Sequence, residues 1–550
     1  MRSLPPRTRR VFGQVWQLAL PVIIANMLQS LVNVADVFLA GRLGPIEIAA
    51  VGMGTSVRML VLVGIMAITA GCMALAAQAR GAGDDEELSL VTRQSLSLAV
   101  LLSVLLSAIG FFGAEPILRF LNSGGDPRAV ELGTDYLQIL FAGTIFLTLN
   151  FTINSLMQGA GDTVTPLYIS GGMNVLNVLF SSVLMFGPGP LPALGVSGAA
   201  FGTVLARAFA VVAGISLFYS GRNAVRILPG SYLPNTDMFR QILSIGVPSG
   251  AQGIARNAAQ IMVLRIVTST AAGTYGASAL AIGLQVESLA FMPGLAVSVA
   301  ATSLVGRSLG AWQVEEARER GNAAVALGAL LMGTLGLLLW IFATPLVRLF
   351  DPSAHPTVIA AGTAYLRINA LSQPILAVAM VVNGGLRGAG DTRPPLVATI
   401  VGRWLVVVPL AYFLALQLGM GVNGVWWALF AGTCIQAVYV AARWLSGKWL
   451  QVGLRKSRLY RIHLRHLPEE EQRRFLYEVK APLMASGATR ERVEEEGVVY
   501  QLPSGRVQLA FDGSYRVVSG HELLPEPGAD SGSDELAEPR PAVADRRPAG

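Results

Sequence analysis

The sequence predicts an all-α polytopic membrane protein: twelve transmembrane helices as two pseudo-symmetric six-helix bundles, plus a small cytoplasmic C-terminal extension. Three observations predict it. The 550 residues are 53% hydrophobic and 14% charged, with a mean hydropathy of +0.55, a composition typical of membrane chains. Breaks at Gly, Pro and charge clusters leave twelve apolar runs long enough to cross a bilayer, which takes about 20 residues. Residues 154–163, Asn-Ser-Leu-Met-Gln-Gly-Ala-Gly-Asp-Thr, return 229 positions later at 383–392 as Asn-Gly-Gly-Leu-Arg-Gly-Ala-Gly-Asp-Thr.

The repeat reaches well beyond that decamer. Leu75 and Leu304, Gly81 and Gly310, Pro116 and Pro345, Arg119 and Arg348, Pro127 and Pro356, and Tyr136 and Tyr365 share the same 229-residue offset. A gap-free repeat of this length calls for two copies of one structural unit. The spans are placed near 14–40, 47–79, 90–113, 130–158, 164–187 and 195–219 in the first copy. In the second they fall near 239–268, 276–307, 320–343, 358–386, 394–417 and 423–446. The chain therefore divides into an N-lobe over 1–222, a C-lobe over 223–450 and a tail over 451–550. Six spans per copy is an even number, so both copies enter the membrane in the same direction. That geometry belongs to transporters that rock two bundles about a site between or within them.

Charge placement orients the chain. Alternate loops carry Arg80, Arg93, Arg222, Arg226, Arg240, Arg307, Arg318, Arg320, Arg387 and Arg393, and the N-terminus carries four more arginines. The opposite loops hold little beyond Arg42, Arg119, Arg128 and Arg348. Both termini are thus expected in the cytoplasm, with the protein in the plasma (inner) membrane. The net charge of +7 reads as membrane orientation, and nucleic acid is not expected as a partner. The first apolar stretch is too long for a signal-peptide core and is read as an uncleaved helix.

The tail is a different object: residues 451–550 hold 15 of the 41 Lys and Arg and 16 of the 34 Asp and Glu. A basic cluster from Arg455 to Arg465 suits anionic headgroups. Residues 468–480 read as a short helix, and 498–502, 506–511 and 514–518 as a small β-meander split by Pro-Ser-Gly and Asp-Gly turns. From about 523 the composition predicts disorder. Two cysteines, Cys72 and Cys434, and four histidines build no metal cluster or disulfide framework. No catalytic constellation appears, so the chain is not read as an enzyme, and no cofactor is expected.

In its ordered motifs the sequence resembles the multidrug and toxic compound extrusion (MATE) family over about residues 12–448. The first copy carries Leu-Ala-Leu-Pro at 18–21, Asp-Val-Phe-Leu-Ala-Gly-Arg-Leu-Gly at 36–44, Gln-Gly-Ala-Gly-Asp-Thr at 158–163 and Gly-Val-Ser-Gly-Ala-Ala at 195–200. The second carries Gly-Val-Pro at 246–248, Phe-Met-Pro-Gly at 291–294, Leu-Val-Gly-Arg-Ser-Leu-Gly-Ala at 304–311 and Leu-Arg-Gly-Ala-Gly-Asp-Thr at 386–392. Among the branches it looks most like that of the DNA-damage-inducible protein F (DinF). The resemblance implies export of organic, often cationic, compounds in exchange for H+ or Na+, by a chain expected to act as a monomer. A lipid-linked saccharide flippase of the same superfamily, a Na+-coupled exporter, and a membrane sensor signalling through the tail are the competing readings.

The first span places Asn26, Gln29, Asn33 and Asp36 at spacings of three, four and three, which is one helix face. Polar groups in a membrane must face the bundle interior or a water-filled cavity. A carboxylate there costs roughly 2.5–3.5 kcal/mol on insertion scales, and burial opposes its charged form, the property a proton carrier needs. Asp36 also matches the family's coupling aspartate, and Pro21 the proline at which that helix is proposed to bend. The fifth span repeats the pattern with Asn174, Asn177 and Ser181, while Thr203 on the sixth span and Asn154 on the fourth point toward the same cavity. In the related branch an Asp-Pro follows the second asparagine by four residues; here Ser181 and Ser182 replace it. Na+-coupled relatives carry an acid eight residues after the seventh-span proline, and here that count from Pro248 reaches Arg256. Both departures favour H+ over Na+.

Further charges lie within the spans. At the repeat offset Arg58 corresponds to Glu287 and Asp36 to Arg265, which predicts two pairs: Glu287 with Arg265 as a structural pair, and Asp36 with Arg58 as a gated one. A competing reading has Arg58 snorkelling to the surface. In the Gly-Ala-Gly-Asp-Thr turns, Gly159 or Gly161 is expected to end one helix and Asp162 to cap the next, with Asp391 doing the same in the second copy.

Overall fold

The computed structural model describes residues 6–121, 127–187, 192–350 and 355–455, and four strands between 489 and 520. Within the first two helices several side chains, those of Asn33 and Arg58 among them, lie outside that description, as do the predicted 468–480 helix and the segment from 523 onward. The N-lobe runs α1 (Pro6–Gly41), α2 (Pro45–Gly81), α3 (Asp85–Leu121), α4 (Pro127–Ala142), α5 (Thr144–Ala160), α6 (Val164–Phe186) and α7 (Gly195–Ser220). The C-lobe runs α8 (Thr236–Thr268), α9 (Gly273–Gly310), α10 (Val314–Ile341), α11 (Ala343–Phe350), α12 (Pro356–Gly388), α13 (Arg393–Thr399), α14 (Val408–Tyr412) and α15 (Val422–Leu445), followed by α16 (Lys448–Arg455).

Helix boundaries obey the sequence repeat. Asp85 and Val314, Pro127 and Pro356, and Val164 and Arg393 each open equivalent helices at the same offset, and Gly81 and Gly310 end the equivalent helices α2 and α9. Among the described residues nine helices are long and apolar enough to cross a membrane, and the bent pair α4–α5 makes a tenth. α2 and α8, of 37 and 33 residues, fill the remaining two of twelve positions; Arg240, Arg256 and Arg265 interrupt the apolar run of α8.

Two spans break the symmetry. The fourth bends by 49° between α4 and α5 at Gly143, where any side chain would collide with Val204 of α7. Its counterpart α12 is continuous. Conversely α6 is a regular helix, whereas residues 393–417 pass from α13 into π-helical turns over Ile400–Val407 and Phe413–Gln417, with α14 between them. π-helical stretches widen a helix locally and are frequent at functional sites.

Helix packing relies on glycine, as expected where lipid offers no hydrophobic drive between helices. Gly384 and Gly388 of α12 meet the Ser298 and Thr302 carbonyls of α9, and the hydroxyls of those residues donate across the same seam to the Met380 and Gly384 carbonyls at 2.8 and 2.9 Å. In the N-lobe Gly198 and Gly202 of α7 lie against the α6 backbone at Leu184 and Ser181.

The lobes themselves meet along the second half of α2. Gly71 abuts the Ile242 carbonyl, Gly246 the Ala67 carbonyl, Gly81 the Arg307 carbonyl and Gly310 the Gln78 carbonyl. Gln78 Nε2 donates to the Gly388 carbonyl at 2.9 Å and Ser303 Oγ to the Gly159 carbonyl at 3.0 Å. α1 also crosses the divide: Val15 and Ala19 pack in one core with Val297, Ala301 and Leu304 of α9, while α1 lies beside α6 as well.

The membrane unit continues through α16, where Trp449 is fully buried and stacks on Trp444 at 4.1 Å. Contacts divide the chain between Ile462 and His463. The second unit holds an antiparallel meander of β1 (Thr489–Val493), β2 (Gly497–Leu502), β3 (Gly505–Ala510) and β4 (Tyr515–Gly520), in that order. Its last three strands are those the turn signals predict, and the first adds one more.

The two Gly-Asp turns differ. Gly161 ends α5 with φ +93° and Asp162 Oδ1 accepts from the Val164 and Thr165 amides at 3.2 and 2.9 Å, as predicted. Asp391 does not repeat this. Position 165 is matched by Pro394, which has no N–H to give, and Asp391 Oδ2 instead binds Arg443 Nε and Nη2, both at 2.8 Å.

The interlobe glycines yield a prediction. Gly310→Leu drives a side chain into the Gln78 carbonyl and is expected to cost about 1–3 kcal/mol through overpacking. Thermal unfolding of the purified protein in detergent checks this: an unchanged midpoint would remove the close approach.

Candidate functional site

On α1 the exposed large apolar residues are Trp16, Leu20, Ile24, Met27, Leu31 and Phe38, at helical spacing on one side. At about 100° per residue Asn26, Gln29 and Asp36 of the predicted stripe lie roughly opposite, on the side that also carries buried Val15, Ala19 and Val22, while Asn33 lies outside the described side chains. Asp36 is half-buried and engaged by a neighbouring group, as is the more exposed Gln29. Asn26 is half-buried, and its Nδ2 is enclosed without a hydrogen-bond partner. Pro21 sits half-buried in the helix interior.

α6 and α7 supply the second part. Asn174, Asn177, Ser181 and Thr203 are all buried. The glycine contacts at 198 and 202 bring the two backbones together, so that Asn177 Nδ2 donates to Thr203 Oγ1 at 3.0 Å. Thr203 Oγ1 in turn donates to the Ala199 carbonyl at 2.9 Å, which also receives Ser181 Oγ at 3.4 Å. Asn174 Nδ2 and Asn177 Oδ1 are left without partners. On α5, Asn154 Nδ2 donates to Asn150 Oδ1 at 3.3 Å, and the opposite ends of both amides, Asn154 Oδ1 and Asn150 Nδ2, are unmatched. A buried amide that keeps unmet donors and acceptors is a place for water or a polar ligand.

The C-lobe carries its own constellation. Glu287 of α9 accepts from Tyr365 Oη at 2.5 Å and Gln373 Nε2 at 3.4 Å, both on α12. Gly283, one turn before Glu287, leaves room for the Tyr365 ring, just as Gly54 does for Tyr136 in the N-lobe. Glu287, Tyr365, Arg256 and Arg403 line a cavity of about 280 Å³. The predicted Glu287–Arg265 pair is not formed: Arg265 is exposed in the last turn of α8, away from the cavity. Two residues on antiparallel neighbours matched in sequence depth, but the acid turned inward toward α12. Tyr365, Asn369 and Gln373 form a polar stripe at spacings of four, and that pattern is the sequence signal for the partners Glu287 takes. Arg58, the Glu287 counterpart, has its side chain outside the described residues, so its pairing with Asp36 stays an expectation.

The MatE family profile matches residues 21–183 and 248–413. The chain belongs to the MatE family. It is a multi-pass membrane protein of twelve helices in two bundles. Among curated relatives, it is 30% identical over 434 residues, covering 79% of this chain and 92% of the relative, to a probable multidrug resistance protein NorM of Thermotoga maritima. It is also 30% identical over 448 residues, covering 80% and 95%, to the multidrug resistance protein NorM of Burkholderia vietnamiensis. The fold matches a solved structure described as the outward-facing conformation of a multidrug resistance MATE family transporter, with TM-score 0.73, 23% identity and 80% and 97% coverage. A Pyrococcus furiosus transporter described as having a binding pocket of reverse polarity matches equally well in fold, with TM-score 0.73, 23% identity and 81% and 97% coverage. The two profile segments, each opening at a mid-helix proline, Pro21 or Pro248, fall one in each lobe of the MatE chain.

The α6–α7 contact gives a second prediction. Thr203→Val removes the acceptor of Asn177 Nδ2 while keeping the shape, and stranding that donor is expected to cost about 1–3 kcal/mol. Thr203→Ser keeps the hydroxyl and is expected to unfold near the wild-type midpoint; equal loss in both variants would mean the methyl, and not the hydrogen bond, matters.

Proposed function

We propose that the protein is a multidrug efflux antiporter that exports organic compounds, cationic or amphipathic, across the plasma membrane in exchange for protons, with both termini in the cytoplasm. The observation that carries this reading is the α1 stripe: Asp36 sits half-buried on the inward side of a membrane helix, next to a helix, α6, whose buried amides keep unmet hydrogen-bonding groups. The multidrug names of the curated relatives support the substrate class.

A proton suits this site better than Na+. The Thr203 hydroxyl, the hardest oxygen near the asparagines, already donates to the Ala199 carbonyl and accepts from Asn177. Serine replaces the acid that the related branch carries four residues beyond Asn177. A Na+ ion would need several oxygen ligands, and although asparagine carbonyls can serve as such, the second carboxylate of the related branch is replaced here by Ser181. Proton exchange needs only one carboxylate that is alternately reachable from the two sides.

In proteoliposomes, adding substrate to the wild-type protein is expected to release protons, and Asp36→Asn to abolish that release while substrate still binds. Release at the wild-type level in Asp36→Asn, or release that follows a Na+ gradient instead, would overturn the coupling assignment. A chain ending at Ile462, which keeps α16 and its buried Trp449, is expected to transport at the wild-type rate; failure of that chain to transport would instead give the tail a part in the cycle.

A further inference from the structure

The C-lobe cavity has a charge balance that the proton-carrying stripe does not explain. Its wall holds two arginines, Arg256 of α8 and Arg403 of the π-helical turns, against a single acid, Glu287. The acid is already engaged by Tyr365 and Gln373, and among the described residues neither guanidinium is within ion-pair distance of any carboxylate. Glu287 and Arg403 interact electrostatically across the cleft without forming an ion pair, so two guanidinium groups face one carboxylate there.

Their placement is fixed by the scaffold. Trp404 Nε1 donates to the Ala255 carbonyl at 3.0 Å, so the residue after one arginine is tied to the residue before the other. Gly402 lies against the Gly432 carbonyl and Gln436 of α15, which seats the backbone at Arg403. Gln252 and Gln436 both donate to Thr399 Oγ1, at 3.0 and 2.8 Å, bridging α8, α13 and α15 along the same wall. At the repeat offset Arg403 takes the position of Asn174, so the C-lobe carries a fixed positive charge where the N-lobe carries a buried amide. The rest of the lining is mixed: Leu284, Phe291, Leu376, Met380 and Leu429 form an apolar part, and Ser288, Asn369, Ser372, Asn383 and Thr433 a polar one.

We propose that this cavity binds the carboxylate of a small amphipathic organic anion, with Arg256 and Arg403 as its anchors and Leu284, Phe291, Leu376, Met380 and Leu429 against its body. Guanidinium is the side chain best matched to a planar carboxylate, with two parallel donors. The volume of about 280 Å³ is just below the usual range of ligand sites, roughly 300–1000 Å³, and admits a body of one or two fused rings or a short chain. The proposal rests on the export reading only for what the bound anion does in transport; binding itself is independent of it.

The test is equilibrium binding to the full-length protein in nanodiscs of zwitterionic lipid, which excludes anionic headgroups as competitors. Three probes share one apolar body and differ in charge: 1-naphthoate, 1-naphthylmethanol and 1-naphthylmethylamine. Naphthoate is expected to bind wild type about tenfold or more tighter than the alcohol, to lose about tenfold or more in Arg256→Gln and in Arg403→Gln, and to regain only part of it in Arg256→Lys, which keeps the charge but not the paired donors. The amine is expected to be unaffected or to bind more tightly in the Gln variants. Wild-type affinities that do not depend on probe charge would overturn the proposal without any variant having to fold, as would naphthoate binding unchanged in both Gln variants. Addition of anionic phospholipid is expected to leave naphthoate affinity unchanged; displacement by it would assign the arginines to lipid headgroups and reject the small-anion site. Naphthoate binding unaltered by Asp36→Asn separates this result from the outcome of the coupling test.

Discussion

Inside the hydrocarbon of a bilayer no water stands ready to pair with a stranded polar group, so each must find its partner within the protein or border a wet cavity. That constraint governs where this chain keeps its polar residues. Asn26, Gln29 and Asp36 of α1 lie opposite the exposed row of Leu20, Ile24, Met27, Leu31 and Phe38 because lipid on that side would offer them no partner. Asn177, Ser181 and Thr203 are tolerated because Gly198 and Gly202 let α6 and α7 approach until the three form one hydrogen-bonded cluster around the Ala199 carbonyl. Glu287 is tolerated because α12 brings two donors to it. Amides that remain partly unmet mark where the protein has left room for something else.

The same glycine chemistry that closes helices on each other also closes the lobes. Contacts at Gly71, Gly81, Gly246 and Gly310 place backbone against backbone, and few side chains have to be disentangled to separate them. They cluster toward the Arg80 and Arg307 ends of α2 and α9, the ends that the charge tally assigns to the cytoplasm. α1 touches both lobes, so movement between them acts on the helix that carries Asp36. A carboxylate on a helix shared by both bundles is well placed to sense which side is open.

Much of this was legible in the sequence, and what was hidden has a common cause. The repeat foretold helix starts and ends because both lobes keep the same spacing of breakers. Spacings of three and four foretold the α1 stripe and the α6 polar face because helical periodicity is local. Asp162 was readable as a cap, since capping involves only neighbours along the chain. The failures each depend on another helix or on one substituted residue: the break at Gly143 answers to Val204, the π turns answer to α15, and Asp391 lost its capping role to Pro394 and gained Arg443. Glu287 was matched with Arg265 by depth alone, whereas its partners come from α12 by packing.

The account that results is of two like-shaped halves with unlike electrostatics. The N-lobe offers amides and one carboxylate; the C-lobe offers two arginines around an acid that is already satisfied. The most direct test of this division measures substrate-driven proton release and substrate binding side by side in Asp36→Asn and Glu287→Gln reconstituted into the same liposomes. The account predicts that Asp36→Asn binds substrate but releases no protons, while Glu287→Gln still releases them; proton release lost in Glu287→Gln and kept in Asp36→Asn would place coupling in the wrong half and contradict it.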